Sequence, residues 1–207
     1  MKIRNDGILQ LNVPMKTKLE VIEEFIISKY SWLQKKYIEN YNSQNHKPLV
    51  FEDGEVHLYF GKEYCLQLIV STQSFVEIKN DKIIVFHRKN SIVKNILNRW
   101  YRQQALDFFN KRTHHFAKNY DFPSVKKVTV RNMKARWGSC NSRSEITYNI
   151  HLIKAPLENI DYVVLHELCH LIHPNHGVGF YQLQSQVNPD WKKQKYILNI
   201  QGYRYIN

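Results

Sequence analysis

The strongest constraint on this chain is residues 163–172, Val-Val-Leu-His-Glu-Leu-Cys-His-Leu-Ile, where two histidines stand four positions apart inside an apolar run. Residues i and i+4 lie one above the other on an α-helix, so His166 and His170 share an ion only if this stretch is helical. Val163, Val164, Leu168 and Leu171 then face the interior. Asn159 and Asp161 are both suited to cap the start. The helix stops at about Ile172, because the residue before Pro174 avoids helical geometry. Imidazole nitrogens bind zinc at ~2.0–2.1 Å. Glu167 lies one position further round the helix, within reach of a water on such an ion without ligating it. Two neutral imidazoles leave zinc its full charge, which brings the pKa of that water to about 7. A carboxylate beside it can take the proton as the oxygen attacks a carbonyl.

A catalytic zinc site needs a third protein ligand and an open fourth position. No glutamate follows Glu167, and Asp190 is the only later aspartate. His173 continues the same face, but seven residues of helix span about 10.5 Å, too far for one ion. Pro174 and Gly177 let the chain turn, so that His176 returns over the metal. The expected ligands of a single Zn2+ are therefore His166, His170 and His176, with His173 a supporting or surface group. The spacing HxxxHxxxxxH is also that of the metzincins. Here the glycine position of that motif is His173, and no methionine follows Met133, which excludes a Met-turn. The competing reading is a structural zinc site with Cys169 as a fourth ligand.

The whole 207-residue chain is 43% apolar and 23% charged, ordinary for a globular protein and unlike a disordered one. Cys65, Cys140 and Cys169 are odd in number and lack CxxC spacing, which points to a reducing compartment rather than a disulfide framework. The first residues lack the apolar stretch of a signal peptide, and no run reaches ~18 apolar residues. The expectation is a cytoplasmic protein without a membrane span.

Periodicity predicts a helix from about Thr17 to Tyr41, with Thr17 and Glu20 as a capping box and Leu19, Ile22, Ile26, Leu33 and Tyr37 on one face. An antiparallel sheet follows: Val56, Leu58 and Phe60 alternate, Gly61-Lys62 turns into Tyr64, Leu66, Leu68 and Val70, and Asn80-Asp81 joins Phe75–Ile78 to Ile83–Phe86. A long helix over residues 91–120 carries Ile92, Ile96, Trp100 and Leu106. Strand patterns occur at 125–130, 135–140 and 145–153, and one or two helices close the chain after Phe180.

Two blocks resemble a known family. Residues 135–156, ARWGSCNSRSEITYNIHLIKAP, are similar to the RWGSC strand, hairpin and strand ending in Ala-Pro of the YgjP-like zinc metallopeptidases. Residues 163–191, VVLHELCHLIHPNHGVGFYQLQSQVNPDW, are similar to their HELxH…NH…F…PDW pattern. These proteins are relatives of the SprT-like and minimal gluzincin proteases. The resemblance implies a zinc peptidase acting on peptides or unfolded proteins, with one Zn2+ on His166, His170 and His176 and with Glu167 as general base. The sequence departs from the family at Gly177, where Ser is usual, and at Tyr181, where Trp is usual. The fold expectation is α+β: an N-terminal helix and small antiparallel sheet over residues 1–88, then a long connecting helix and a zincin-like region over 89–207, with the HExxH helix packed on a small sheet.

Zinc peptidases commonly bind substrate along a sheet edge beside the metal helix, where main-chain hydrogen bonds tolerate many sequences. Trp137, Gly138 and Ser139 are expected beside that cleft, against the alternative of a core tryptophan and a bulge. Arg136, Tyr148, His151 and Tyr181 are candidates to stabilise the oxyanion, and Asn149 a supporting group.

The net charge of +12 is concentrated between Arg88 and Arg136, where thirteen Lys and Arg face only Asp107 and Asp121. With Trp100, Tyr101, Phe108 and Phe109 interleaved, residues 88–136 could track a phosphate backbone. Equally, the aromatics could be the buried side of the long helix and the cations its solvated side. The alternative function is thus a nucleic-acid-associated protein with a structural zinc. No Lys or Arg occurs between Ala155 and Trp191, the stretch that holds the histidines.

Overall fold

The computed structural model describes residues 1–4, 8–30, 32–33, 36, 48–89 and 92–206. A two-stranded ribbon, β1 (Lys2–Ile3) and β2 (Leu9–Gln10), precedes helix α1 (Leu19–Ser28). The expected capping box does not form. Lys18 is the N-cap without a side-chain bond, and the Thr17 hydroxyl donates to the Pro14 carbonyl at 2.8 Å. The expected continuation to Tyr37 and Tyr41 lies outside the described residues, as does Ser91.

The first sheet comprises β3 (Val56–Tyr59), β4 (Lys62–Val70), β5 (Phe75–Lys79) and β6 (Lys82–His87) in the order β3-β4-β6-β5. It is mixed rather than wholly antiparallel, since β4 and β6 run parallel, with Leu66 opposite Ile83. The reason is legible in composition. β6 carries a continuous apolar run whose Ile83, Ile84 and Val85 are all buried, so it takes an interior place, while β5 alternates with exposed residues and takes the edge. The β3–β4 hairpin turns on Phe60 and Gly61, both with positive φ, as a two-residue type I′ loop requires. A Cβ on Gly61 would lie 2.8 Å from the Pro156 Cα, so this turn needs glycine for space as well as for backbone angle. Its N–H groups bond across: Phe60 donates to the Ile153 carbonyl and Gly61 to that of Lys154, each at 3.0 Å.

Helix α2 (Val93–Asn119) is the spine. Its buried stripe is Leu97, Tyr101, Ala105, Phe109, Thr113 and Phe116, at near four-residue spacing, while Ile92 and Leu106 of the expected apolar set are exposed. Two of the interleaved aromatics, Tyr101 and Phe109, are therefore core. The Tyr101 hydroxyl donates to the Leu58 carbonyl at 2.7 Å.

The second sheet comprises β7 (Lys127–Arg131), β8 (Gly138–Cys140) and β9 (Glu145–Asn149) in the order β7-β9-β8, which leaves β8 at an edge. A 3-10 turn (Ile150–Lys154) leads into α3 (Leu157–Cys169), followed by α4 (Val178–Val187), α5 (Trp191–Gln201) and a last 3-10 turn (Gly202–Arg204). Helix α3 starts earlier than expected, with Pro156 as N-cap, and ends at Cys169 rather than near Ile172. Asn159 and Asp161 are spent on tertiary ties instead of capping. Asn159 Nδ2 donates to the Gln194 carbonyl at 2.8 Å, and Asp161 accepts both arms of Arg112, with Nε to Oδ1 at 2.7 Å. One cluster of buried side chains joins the first sheet (Leu66, Ile83, Val85) to α2, β9 and α3. Val164, Leu165 and Leu168 on α3 are essentially buried, each contributing about 1.5–3 kcal/mol by burial. The α+β class, with the HExxH helix packed on a small sheet, is thus observed. Cys65, Cys140 and Cys169 are free thiols. Among the described residues no helix is long and apolar enough to cross a membrane.

Candidate metal centre

The last turn of α3 carries His166, and His170 follows as its C-cap residue, still in right-handed helical geometry. The four-residue spacing leaves their ring centroids 5.0 Å apart and nearly perpendicular. Pro174 and Gly177 bound a bend that brings His176 back over this pair. Its Nε2 lies 3.1 Å from the His166 Nε2, and its ring centroid 4.6 Å from that of His170. One nitrogen from each ring lies within 4.8 Å of the others. Tetrahedral zinc with bonds of ~2.0–2.1 Å separates its nitrogen ligands by about 3.4 Å, so the donor set fits one zinc-sized cation after small ring movements.

The surroundings prepare these rings. His170 Nδ1 donates to the His173 carbonyl at 3.1 Å, which leaves Nε2 with its lone pair free. His173 therefore supports the site through its backbone, and its ring packs against Gly179, where a Cβ would lie 2.9 Å away. Burial lowers the His166 imidazole to about 3, helped by its two histidine neighbours, and also lowers His176. Both rings are therefore neutral at neutral pH and carry a lone pair that could serve a metal ion. Phe180 on α4 packs on all three rings, with centroids 4.9, 4.6 and 4.6 Å from His166, His170 and His176.

Glu167 is 4% exposed, and burial pushes its carboxyl up to about 8 against the pull of the Arg136 guanidinium. It is held against β8: a Cβ on Gly138 would lie 2.5 Å from Glu167 Oε1. Gly138 is thus the point where strand backbone and the buried Glu167 carboxyl meet. Asn149, 2% exposed, shapes the segment leading there by donating from Nδ2 to the carbonyls of Met133 at 2.7 Å and Arg136 at 3.0 Å.

Of the expected cleft residues, Gly138 and Arg136 lie at Glu167, and Tyr181 sits at the rim, its ring 6.2 Å from His176 and stacked on Trp191 at 5.3 Å. Trp137 is half-buried, packed over Gly202 and against Tyr205. Tyr148 does not belong with them. It is fully buried, and its hydroxyl shares a 2.9 Å hydrogen bond with Thr113, so it is a core residue with no path to a substrate oxygen. His151 also lies elsewhere, lining a separate cavity with His57 and Lys154. Cys169 is buried in the core and is not part of the histidine cluster.

Sequence reasoning passed over Tyr162 and Gln184, and it named Phe180 only as the start of a tail helix. Tyr162 stands four residues before His166 on the same helix, a spacing that would have placed it beside that ring, whereas Phe180 reaches His176 only because the bend before the next helix turns back. Gln184 had no such signal. It is fully buried on α4, and its amide approaches His166 closely enough to raise that ring's proton affinity, yet neither amide atom completes an aligned hydrogen bond.

A family model described as YgjP-like, metallopeptidase domain, matches residues 1–201. Comparison with curated proteins finds no match. Among solved structures, the metallopeptidase zymogen abylysin of Pyrococcus abyssi is 21% identical over 44% of this chain and 91% of its own, with a TM-score of 0.40. The zymogen jannalysin of Methanocaldococcus jannaschii is 18% identical over 43% of this chain and 93% of its own, with a TM-score of 0.37.

Proposed function

Because this chain belongs to the YgjP-like metallopeptidase family, we propose that it hydrolyses peptide bonds with one zinc ion held by His166, His170 and His176 and with Glu167 as general base. The observation that carries this reading is the return of His176 to 3.1 Å from His166 beside a buried glutamate. Cys169 lies outside the cluster, so three imidazoles leave a fourth position for water and substrate, which favours a catalytic over a structural site. When bound, zinc would supply Lewis acidity, polarising a carbonyl and lowering the pKa of a water to about 7.

The protein's own groups supply the rest. Burial raises Glu167 to about 8, so it would serve as a base once a divalent cation beside it favours the ionised carboxylate; fixed against Gly138, it would then accept the proton of the attacking water on a carboxylate oxygen and pass it to the leaving nitrogen. The outer edge of β8 carries no partner strand among the described residues, and it runs beside Glu167. An extended peptide can pair with it through main-chain hydrogen bonds. Arg136, at the entry to β8, and Tyr181, on the rim, are the groups positioned to meet charge developing on the carbonyl oxygen. Gln184 would complete the support of His166 by accepting its Nδ1–H, as the His173 carbonyl does for His170.

The test is Glu167→Gln against wild type, with zinc measured by atomic absorption and cleavage of an unfolded protein by fluorescence release. The substituted protein should keep about one zinc per chain and lose hydrolysis by at least about 10²-fold. Persisting hydrolysis removes Glu167 from the base role. His166→Ala should lose both metal and activity, and stoichiometric zinc in that variant would refute the ligand set.

A further inference from the structure

A cavity of about 430 Å³ lies at the entry to β8, between the segment 134–137 and the end of α5 with the turn after it. Lys134 and Arg136 line it from one side, and Asn199 and Gly202 from the other. No aspartate or glutamate is among the lining residues. Lys134 and Arg136 are exposed, and among the described residues their side chains form no ion pair and no hydrogen bond. Lys36 also borders the cavity, but it already has a partner and is not counted with them.

The two cations are held in place by buried groups. Asn149, 2% exposed, donates from Nδ2 to the carbonyls of Met133 and Arg136, which pins the chain on both sides of Lys134. Trp137 lies over Gly202, where a Cβ would come within 2.8 Å of its ring, and so fixes β8 against the chain end that closes the cavity. The proposed cleft is adjacent. Two residues beyond Arg136, Gly138 meets Glu167, and the Glu167 carboxyl feels the Arg136 guanidinium. A further cation, Lys195 on α5, acts on His166 and His176. Cations gathered without an acid raise the energy of the folded protein, and an anion among them reverses the sign of that contribution. One carboxylate accepts both arms of a guanidinium and a further bond from an ammonium, so it satisfies this pair. The volume falls in the range of roughly 300–1,000 Å³ that holds a small ligand, ample for an acidic side chain.

We propose that this cavity is a subsite for a substrate carboxylate, so that the protein selects acidic peptides whose extended backbone pairs with the outer edge of β8. The inference rests on the peptidase reading for the course of the peptide and adds the class of substrate. The carboxylate meets Lys134 and Arg136 while the bond to be cleaved passes Glu167. With Arg136 so engaged, Tyr181 is the group left to meet the carbonyl oxygen.

Fluorescence anisotropy on the full, zinc-loaded chain carrying Glu167→Gln, so that the peptide survives, tests this at about 0.15 M ionic strength. The probes are an unfolded peptide with a single Glu moved through its positions, its Gln and Lys counterparts, and each with an amidated or a free C-terminus. The Glu peptide should bind about fivefold more tightly than its Gln counterpart, at one or two adjacent positions only. In wild type the same preference should appear in KM and not in kcat. Lys134→Glu and, from the facing helix, Asn199→Glu should each abolish it with unchanged circular dichroism. A preference seen only with the free C-terminus supports the subsite and assigns it to a terminal carboxylate rather than a side chain. Equal binding of Glu and Gln peptides, or a preference that survives both variants, overturns the proposal. So does an equal benefit at every position, which is the general field of a chain with net charge +12. A single-stranded oligonucleotide that binds more tightly than the Glu peptide and is weakened by the same variants overturns it in favour of a nucleic-acid track. Selective binding with no cleavage of any peptide removes the peptidase reading and leaves the subsite, and cleavage without selectivity does the reverse.

Discussion

Replacing Gly138 by alanine tests the meeting of β8 with the glutamate. The new Cβ would sit 2.5, 2.7 and 2.8 Å from Glu167 Oε1, Cγ and Cδ. Ordinary contact begins near 3.4 Å, so the carboxyl must retreat by about 1 Å. Misplacing a reacting group by that distance can cost about 10²-fold in rate, or about 2.7 kcal/mol on the barrier. The backbone at Gly138 does not occupy the left-handed region, so alanine adds no dihedral strain, and the stability cost is that of local overpacking, about 1–3 kcal/mol. The histidine nitrogens are not displaced. The expected variant is folded, holds the wild-type amount of zinc, and cleaves an unfolded protein substrate about a hundredfold more slowly in kcat, with KM little changed. The assay pairs initial rates with zinc content and a thermal melt. Wild-type kcat in a folded, zinc-replete variant would show that Glu167 is not held in register by β8, or that it does not handle the proton, and the mechanism would fall with it.

Three further outcomes follow from the same geometry. Gln184→Leu removes a buried amide that lacks an aligned partner and should leave apo stability equal or higher, while zinc affinity falls about tenfold in a competition titration; unchanged affinity would make Gln184 a spectator. Lys154, lowered by burial from 10.5 to about 8, binds fewer protons folded than unfolded between those values. Stability should therefore rise with pH across that window, and it is lost as pH falls through about 8, by about 3 kcal/mol in full. Buried thiols and tyrosines with raised pKa values pull the total the other way above about pH 9, so the reading is the difference in unfolding free energy between wild type and Lys154→Met, which should rise in favour of wild type across this window in denaturant unfolding at several pH values. Asp161→Ala breaks the two-armed contact with Arg112, which ties α3 to α2 with both side chains largely shielded. It should cost about 2 kcal/mol in unfolding free energy, and a loss within experimental error would reduce the pair to a surface ornament.

The histidine cluster was legible because it is local. His166 and His170 are paired by helix geometry alone, and His176 follows from a proline and a glycine in the eleven-residue stretch 166–176. The long helix and the two hairpin turns were legible for the same reason, although the first turn falls on Phe60-Gly61, one residue before the expected Gly61-Lys62. The parallel pairing of β4 with β6 was not, since alternation identifies strands but not their neighbours, and only competition for the interior puts the continuous apolar strand between two others. The N-cap prediction for α3 failed similarly, because Asn159 and Asp161 found partners 35 and 49 residues away that no local rule reveals.

What belonged to the sequence by itself was therefore the chemistry: which side chains carry lone pairs, which carboxylate stands beside them, and where the positive charge accumulates. The tertiary structure decided surroundings. It buried Tyr148 and withdrew His151, brought Gly138 against Glu167, placed Gln184 beside His166, and closed a cationic cavity between segments far apart in the chain. The physical reason is range. Spacing along a helix or turn follows from bonded geometry within a few residues, whereas burial, desolvation and close approach are set by whichever distant segment packs alongside.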